Sequence, residues 1–381
     1  MEFGYFFTMY NLDHRPYGKV MDRAAEQTVL AEQLGFDCVW SGEHHFGGEG
    51  YDIHPNPILT GTMLAAATER IRIGLAAVIL PGWHPLRLAE DIAILDHYSG
   101  GRLECGVGRG ITNREMSNLS AFDVDRRYPE TNWAIFLETL EILRRAWTDD
   151  PFRWDGDFYT FPRPGVKDSY ADWYPRNPSW RSEDGEYVGM SIVPKPLQNP
   201  HPPLWNVLDS TPSFVVAAEQ GLKPITWLRS EEALQECFAK YREVAAEVQG
   251  RSVGLGEDCA VLRVCFLAGT MQEARRIAEP AVERLFRDYI GGLRSRQIYA
   301  EPDETLSDEE LARPWFDFLF DRGHLIVGTP EFAIERIHSM RERIGLENLL
   351  ILSWLPGLEE ADIRRSIEMF GDKVIPAFQG G

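Results

Sequence analysis

Long hydrophobic runs are missing from this chain. No stretch approaches the ~18 consecutive apolar residues of a membrane-spanning helix, and Met1 leads directly into the strand-like "EFGYFF". Neither a span nor a signal peptide is therefore expected, and a cytoplasmic location follows. Positive charge is also scarce: 39 Lys and Arg face 59 Asp and Glu, a formal charge of −20. Phosphate backbones and anionic membranes need dense cations, so neither is an expected partner. Cysteine is sparse and unpaired in pattern. Cys38, Cys105, Cys237, Cys259 and Cys265 are odd in number and form no C-x-x-C, which points to reduced, buried thiols without a disulfide or zinc site. No repeat of 20 to 50 residues and no dividing linker interrupts the chain.

What the sequence does have is alternation. Its 381 residues, 44% of them apolar and 26% charged, are enough for two average domains or for one α/β barrel with insertions. "EFGYFFTM" reads as a strand, and "KVMDRAAEQTVLAEQLG" as a helix of period near 3.6 stopped by Gly35. "FDCVWS", "IRIGLAAVIL" and "RLECGVG" are further strands, separated by the small-residue helix "NPILTGTMLAAATER" and by a helix from about Leu86 to Tyr98 that ends at Gly100 and Gly101. A long helix "WAIFLETLEILRRAW" follows, then the strands "PPLWNV", "PITWL", "CAVLRVCFLAG" and "NLLILSW". About eight strand–helix units with right-handed crossovers close naturally into a (β/α)₈ TIM barrel, here expected as one domain over 1–381. Two segments break the rhythm, at about 163–203 and 289–323, and read as insertions.

In a barrel the chemistry lies at the carboxyl ends of the strands. Three motifs fall there. "SGEHHF" supplies Glu43, His44 and His45; "ECGVGRG" supplies Gly108 and Arg109; "LDSTPS" supplies Asp209, Ser210 and Ser213 at the start of a helix. Glycines let a phosphate approach the backbone, an arginine offers a bidentate cation, and a helix N-terminus attracts the anion. Each motif also has a plain reading: a polar loop for the histidines, an N-terminal cap for the aspartate and serines. Gly106, Gly108 and Gly110 lack the spacing of a dinucleotide fingerprint. His44, His45, His84 and His97 lack the spacing of a metal site, so none is expected.

Together, "GFDCVWSGEHHF", "AAVILPGWHPLRLAEDIAILDHYSGGRLECGVGRG" and "VGTPEFAIERI" resemble the bacterial luciferase-like flavin-dependent monooxygenases. The resemblance implies a barrel that takes reduced FMN from a separate flavin reductase, reacts it with O₂ through a C4a-hydroperoxide, and oxygenates a small organic substrate. By the same resemblance His44 is the active-site histidine with Glu43 and His45 beside it, and Arg109 binds the FMN phosphate. Asp209, Ser210 and Ser213 surround that phosphate, and Ala76 and Ala77 form a non-proline cis peptide beneath the flavin ring. Gly108 stands where the light-emitting subunit has a cysteine, so light emission is not implied. Arg126 and Arg127 are the candidates for a second phosphate arginine.

Glu43 is expected to orient His44, whose imidazole would handle protons near neutrality. Two rival functions share the barrel: an F420-dependent dehydrogenase or reductase, and a non-catalytic flavin-binding protein. A homodimer is expected through the helix bearing Gly61, Ala65 and Ala66. The 163–203 insertion, with Trp173, Tyr174, Trp180 and Tyr187, is expected to act as a lid over a hydrophobic substrate, with a flexible acidic segment near Glu301 opposite.

Overall fold

The computed structural model describes residues 1–167 and 177–379, so Trp173 and Tyr174 lie outside the described residues. Two compact units form. The first takes Met1–Val78, Glu104–Val107 and the chain from Leu204 onward; the second takes Ile79–Leu103 and Gly108–Pro203.

The first unit is built on parallel strands: β1 (Glu2–Phe7), β2 (Cys38–Ser41), β3 (Arg72–Ile79) and β4 (Leu103–Gly108). The hairpin strands β5 (Trp154–Asp155) and β6 (Thr160–Phe161) belong to the second unit, after which β7 (Leu204–Val207), β8 (Lys223–Thr226), β9 (Ala260–Leu267), β10 (Leu325–Gly328) and β11 (Asn348–Leu352) complete the sheet. Pairing runs β1-β2-β3-β4-β7-β8-β9-β11 and back to β1, a closed eight-stranded parallel barrel. This is the architecture that the alternation predicts. The ninth strand, β10, is not in that reading. Val264 pairs with both Leu352 and Leu325, so β11 and β10 lie on opposite edges of β9. Because β8 pairs only with Ala260 and Val261, β10 continues its line in the wall.

The barrel interior is filled by unusually large side chains, and the sequence makes room for them. A methyl group on Gly74 would sit 2.2 Å from the Trp40 ring, and one on Gly4 would sit 2.9 Å from it. Trp40 meets Trp205 edge-on, with centroids 5.4 Å apart. Buried polar groups are satisfied beside them: Trp205 Nε1 donates to Glu104 at 2.7 Å and Arg72 pairs with Glu104 at 2.8 Å. Pairing matters because an unmet buried carboxylate is costly. All five cysteines are buried, and none forms a disulfide among the described residues.

In the second unit helix Pro85–Ser99 packs on helix Pro129–Thr148, with Trp147 Nε1 donating to the Ala89 carbonyl at 3.0 Å. Gly100 ends the first of these in the left-handed conformation, φ 70°, that glycine adopts at no steric cost. Met116, Val124 and Ile135 form its core with Ile79, Phe122 and Phe158. The described residues of the 163–203 stretch have almost no regular structure yet are tied down. Lys195 donates to the Ala146 and Asp149 carbonyls at 2.8 and 2.7 Å, and Gln198 meets the Asp96 carboxylate twice at 2.8 Å.

The 289–323 stretch departs from its expected irregularity. It contains helices Asp308–Ala312, capped by Ser307, and Trp315–Asp321. Glu304 is held by Arg322 at 2.6 Å, so the acidic run is pinned by ion pairs and not a loose flap. Its acidic composition conceals that Arg313 and Arg322 supply the matching charges. No helix among the described residues is long and apolar enough to cross a membrane.

Candidate active site

The loop after β2 brings its acid and two imidazoles together differently from their order in sequence. Glu43 pairs with His45, Oε1 to Nε2 at 2.9 Å, the carboxylate being almost wholly buried. His44 turns the other way and meets Asp52, Nε2 to Oδ2 at 3.3 Å. Side chains one apart in an extended chain point to opposite sides, whereas those two apart share one. Asp52 meets His44, and Glu43 meets His45. Asp52 sits at φ 48°, a left-handed position that aspartate tolerates better than most residues. The side chains of His44 and Asp52 are 24% and 7% exposed, so the pair is shielded more than a surface ion pair.

Behind them lies His54, wholly buried, with neither ring nitrogen meeting a partner among the described residues. Its carbonyl accepts the His44 N–H at 2.9 Å, tying the two ends of the loop. Burial, aided by the charges of His44 and His45, pushes its pKa down to about 3. His54 is a neutral wall.

An aromatic wall adjoins. The His44 ring lies edge-on to Tyr289, centroids 6.4 Å apart; Tyr289 stacks on Tyr51 at 5.4 Å, and Tyr51 meets Tyr10 at 6.1 Å. Tyr289 comes from a π-helical turn, Phe286–Ile290, a distortion often used to re-aim side chains at functional sites. Asp52, His54 and Tyr289 escaped the sequence reading. "GYDIHPNP" offered Asp52 and His54 only as loop residues, and Tyr289 is far away in sequence.

The Ala76–Ala77 peptide bond is cis. Gly42 leaves room beside it. A methyl group on Gly42 would lie 3.3 Å from the Ala76 carbonyl oxygen and 3.9 Å from His44 Cδ2, so that oxygen and the imidazole border one small space. On the other side Gly106 lets β4 close on the Leu75–Ala76 backbone, since a methyl there would be 2.0 Å from the Leu75 oxygen.

Asp209 does not stand as an open acid. Its Oδ1 accepts from Thr226 Oγ1 at 3.1 Å, Trp227 N at 3.2 Å and Leu228 N at 3.4 Å, so it braces the turn after β8. Arg263, buried in β9, holds the same turn by donating to the Trp227 and Arg229 carbonyls at 2.7 and 3.0 Å. Its burial lowers the guanidinium pKa to about 10. Ser210 is the N-cap residue of helix Thr211–Glu219, but its side chain makes no cap bond. Its hydroxyl meets that of Ser213 at 2.7 Å, which leaves one hydroxyl proton of the pair to give.

In the second unit Gly108 is the buried last residue of β4. Arg109 follows it, its guanidinium 3.8 Å above the Trp133 ring and donating to Asn132 Oδ1 at 3.3 Å. Asn132 donates back to the Arg109 carbonyl at 3.0 Å. A stacked, braced arginine is preorganised for a planar or phosphate oxyanion. Arg127 is spent on Asp125, at 2.6 Å, and Arg126 donates to the Ile111 carbonyl at 2.9 Å.

Comparison with known proteins adds to this geometry. Residues 1–348 match the model of the family described as luciferase-like monooxygenase. The chain belongs to that family. Among curated relatives, the oxygenase component of flavin-dependent trigonelline monooxygenase of Acinetobacter baylyi is 25% identical, covering 99% of this chain and 96% of its own. Among solved structures, the oxygenating constituent of 3,6-diketocamphane monooxygenase of Pseudomonas putida, a type II Baeyer–Villiger monooxygenase in complex with FMN, aligns with a TM-score of 0.76. It is 23% identical over 99% of this chain and 98% of its own. An F420-dependent secondary alcohol dehydrogenase aligns at 0.69 with 17% identity, each chain covered to 99%. Likenesses this distant establish the luciferase-like barrel and no more.

Proposed function

We propose that this protein is the oxygenase component of a two-component monooxygenase that uses reduced FMN and O₂ to oxygenate a small, hydrophobic organic substrate. The observation that carries the reading is the space beside Gly42, bordered by the Ala76 carbonyl of the cis peptide and the His44 ring. On this reading the flat flavin ring rests against this peptide, where Gly42 places no side chain between the Ala76 carbonyl and His44. Bound reduced FMN supplies two electrons, with which O₂ gives one oxygen atom to substrate and the other to water.

The chain supplies everything else. His44 is the proposed proton-handling group beside this space, and Asp52, meeting its Nε2, fixes the ring's orientation. Glu43 fixes the orientation of His45. His54 and the rings of Tyr10, Tyr51 and Tyr289 exclude water on one side, which limits stray protonation. Arg109 is the proposed phosphate cation, with Gly108 allowing backbone approach. The hydroxyls of Ser210 and Ser213 are proposed as further phosphate donors, with Asp209 holding their loop.

The relative named as an oxygenase component supports a separate flavin reductase as functional partner. A cytoplasmic homodimer completes the proposal. Gly61 and Ala65 are buried within their own unit, so a dimer contact on helix Pro57–Ala67 would use exposed Leu59 and Ala66. The lid role of the 163–203 segment gains nothing from Trp180, which is 39% exposed.

One experiment tests the assignment. The protein is incubated with a flavin reductase, NADH, FMN and ¹⁸O₂ over a panel of ketones, aldehydes, sulfur compounds and N-heteroaromatics; one ¹⁸O per product is expected. Absence of label throughout, with F420-dependent alcohol oxidation instead, would transfer the protein to the hydride-transfer branch of the barrel.

A further inference from the structure

Arg229, in the first unit, is a cation in an unfavourable place. It directly precedes Ser230, the N-cap of helix Glu231–Gln249, whose hydroxyl accepts from Ala233 N at 3.3 Å. Within that helix the buried Cys237 sulfur lies 3.4 Å from the hydroxyl of Thr211, the first residue of helix Thr211–Glu219. Burial raises the Cys237 thiol, while the Thr211 hydroxyl and the Arg229 charge pull it back, so the guanidinium stands beside the same sulfur. Arg229 is therefore close to the starts of two helices. Each such end carries roughly half a positive charge and favours an anion, and here a full positive charge is added to both.

The chain does little to offset this. No carboxylate meets the guanidinium among the described residues, and its Nε is buried without a hydrogen-bond acceptor. Glu231 is taken by Arg336 and by Arg343, the latter at 3.0 Å. Asp209 is taken by the turn after β8. Glu232 and Glu236 stand in solvent, where their charge is screened. Yet the residue is held firmly. The Arg229 carbonyl accepts from buried Arg263 at 3.0 Å, and the two residues before it donate to Asp209. The turn that carries Arg229 is thus fastened to the residue that precedes Ser210.

We infer that Arg229 binds the terminal phosphate of reduced FMN and makes the protein prefer FMN to an unphosphorylated flavin. The inference rests on the flavin reading above and adds a residue to it. A phosphate monoester carries between one and two negative charges at neutral pH, and its oxygens match the planar fork of a guanidinium. The Ser210 and Ser213 hydroxyls, 2.7 Å apart, supply a further proton at the start of the same helix Thr211–Glu219. An anion bound there would answer the guanidinium and the helix end together.

The test compares reduced FMN with reduced riboflavin, which lacks the phosphate, by anaerobic fluorescence titration of the whole protein. The unaltered protein is expected to bind FMN more tightly. Arg229→Met should lower the FMN affinity by about 10- to 100-fold, the range for losing a charge-assisted pair, and leave that for riboflavin unchanged. Arg229→Gln, which keeps a polar group beside Cys237, should give the same loss and serves if Arg229→Met does not fold. A preference for FMN that survives in the variants, or an equal loss for both flavins, would overturn the role of Arg229 and leave the flavin reading standing. Binding of neither flavin by the unaltered protein would overturn both.

Discussion

His54 gives the sharpest test of the site's physical chemistry, because its environment converts directly into a pH dependence of stability. The folded protein holds this imidazole neutral down to about pH 3, against an ordinary value of 6.5, through burial first and the neighbouring histidines second. In the unfolded chain it protonates near 6.5. Between those limits the unfolded state carries one proton more than the folded state, so acid favours unfolding. The His54 contribution is thus fully present above about pH 6.5 and is lost steadily as pH falls toward 3. Each unit of pH is worth about 1.4 kcal/mol, and the step from pH 6.5 to 4.5 roughly 3 kcal/mol. Replacement by leucine, of similar volume, removes the titration and the two unmet nitrogens together. At pH 7.5 the variant should be within about 1.5 kcal/mol of the parent. Urea unfolding from pH 7.5 to 4.5 should then show a His54→Leu profile that parallels the parent above about pH 6.5 and is shallower by about 1.4 kcal/mol per pH unit below it. His324, also buried and held well below its ordinary value, acts alike in both proteins and cancels. Parallel pH slopes would refute the reasoning.

Four further outcomes are expected. His44→Ala should still oxidise reduced flavin in air but release H₂O₂ in place of oxygenated product; an unchanged product yield per flavin would remove His44 from the chemistry. Asp52→Asn, which keeps the shape but not the charge, should lower kcat for product by about 10- to 100-fold while flavin affinity stays within a factor of a few. Equal turnover by the two proteins would show that the Asp52–His44 pair is only structural. Arg109→Ala should weaken reduced FMN binding by about 10- to 100-fold, measured anaerobically by fluorescence. Gly42→Val should weaken it as well, by overpacking worth roughly 1 to 3 kcal/mol, and unaltered affinity would empty the proposed flavin space of meaning.

The barrel was readable because its strands carry continuous apolar runs, as buried parallel strands must, and its helices carry a 3.6 period ended by glycines such as Gly100. β10 was not, because "LIVG" is four residues long and is followed at once by the Thr329-capped helix, leaving no room for a period to declare itself. The 289–323 stretch was misjudged for a different reason. Composition counts charges, whereas order here depends on which charges meet: Glu304 with Arg322, and Arg313 with Asp321.

The proposed reaction site shows the same division between what a local pattern can carry and what it cannot. Position along the chain located the histidines correctly at the end of β2, since a strand must deliver its terminal side chains to the barrel rim. Adjacency then suggested Glu43 as the partner of His44, where the structure shows Asp52. Glu43 is one residue from His44, but alternation in an extended chain sends them to opposite sides, and that rule, applied to "GEHHF", gives the Glu43–His45 pair without any structure. The partner of His44 needed the fold. Asp52 reaches it only because the chain between them doubles back, with the His44 N–H bonded to the His54 carbonyl at 2.9 Å and Asp52 in a left-handed conformation. Tyr289 needed still more, since it arrives from an element 245 positions later through a π-helical turn. What selects these residues is closeness in space, and their effect on His44 is that of a fixed carboxylate on one edge and an aromatic ring on another: a proton-carrying group held in one orientation.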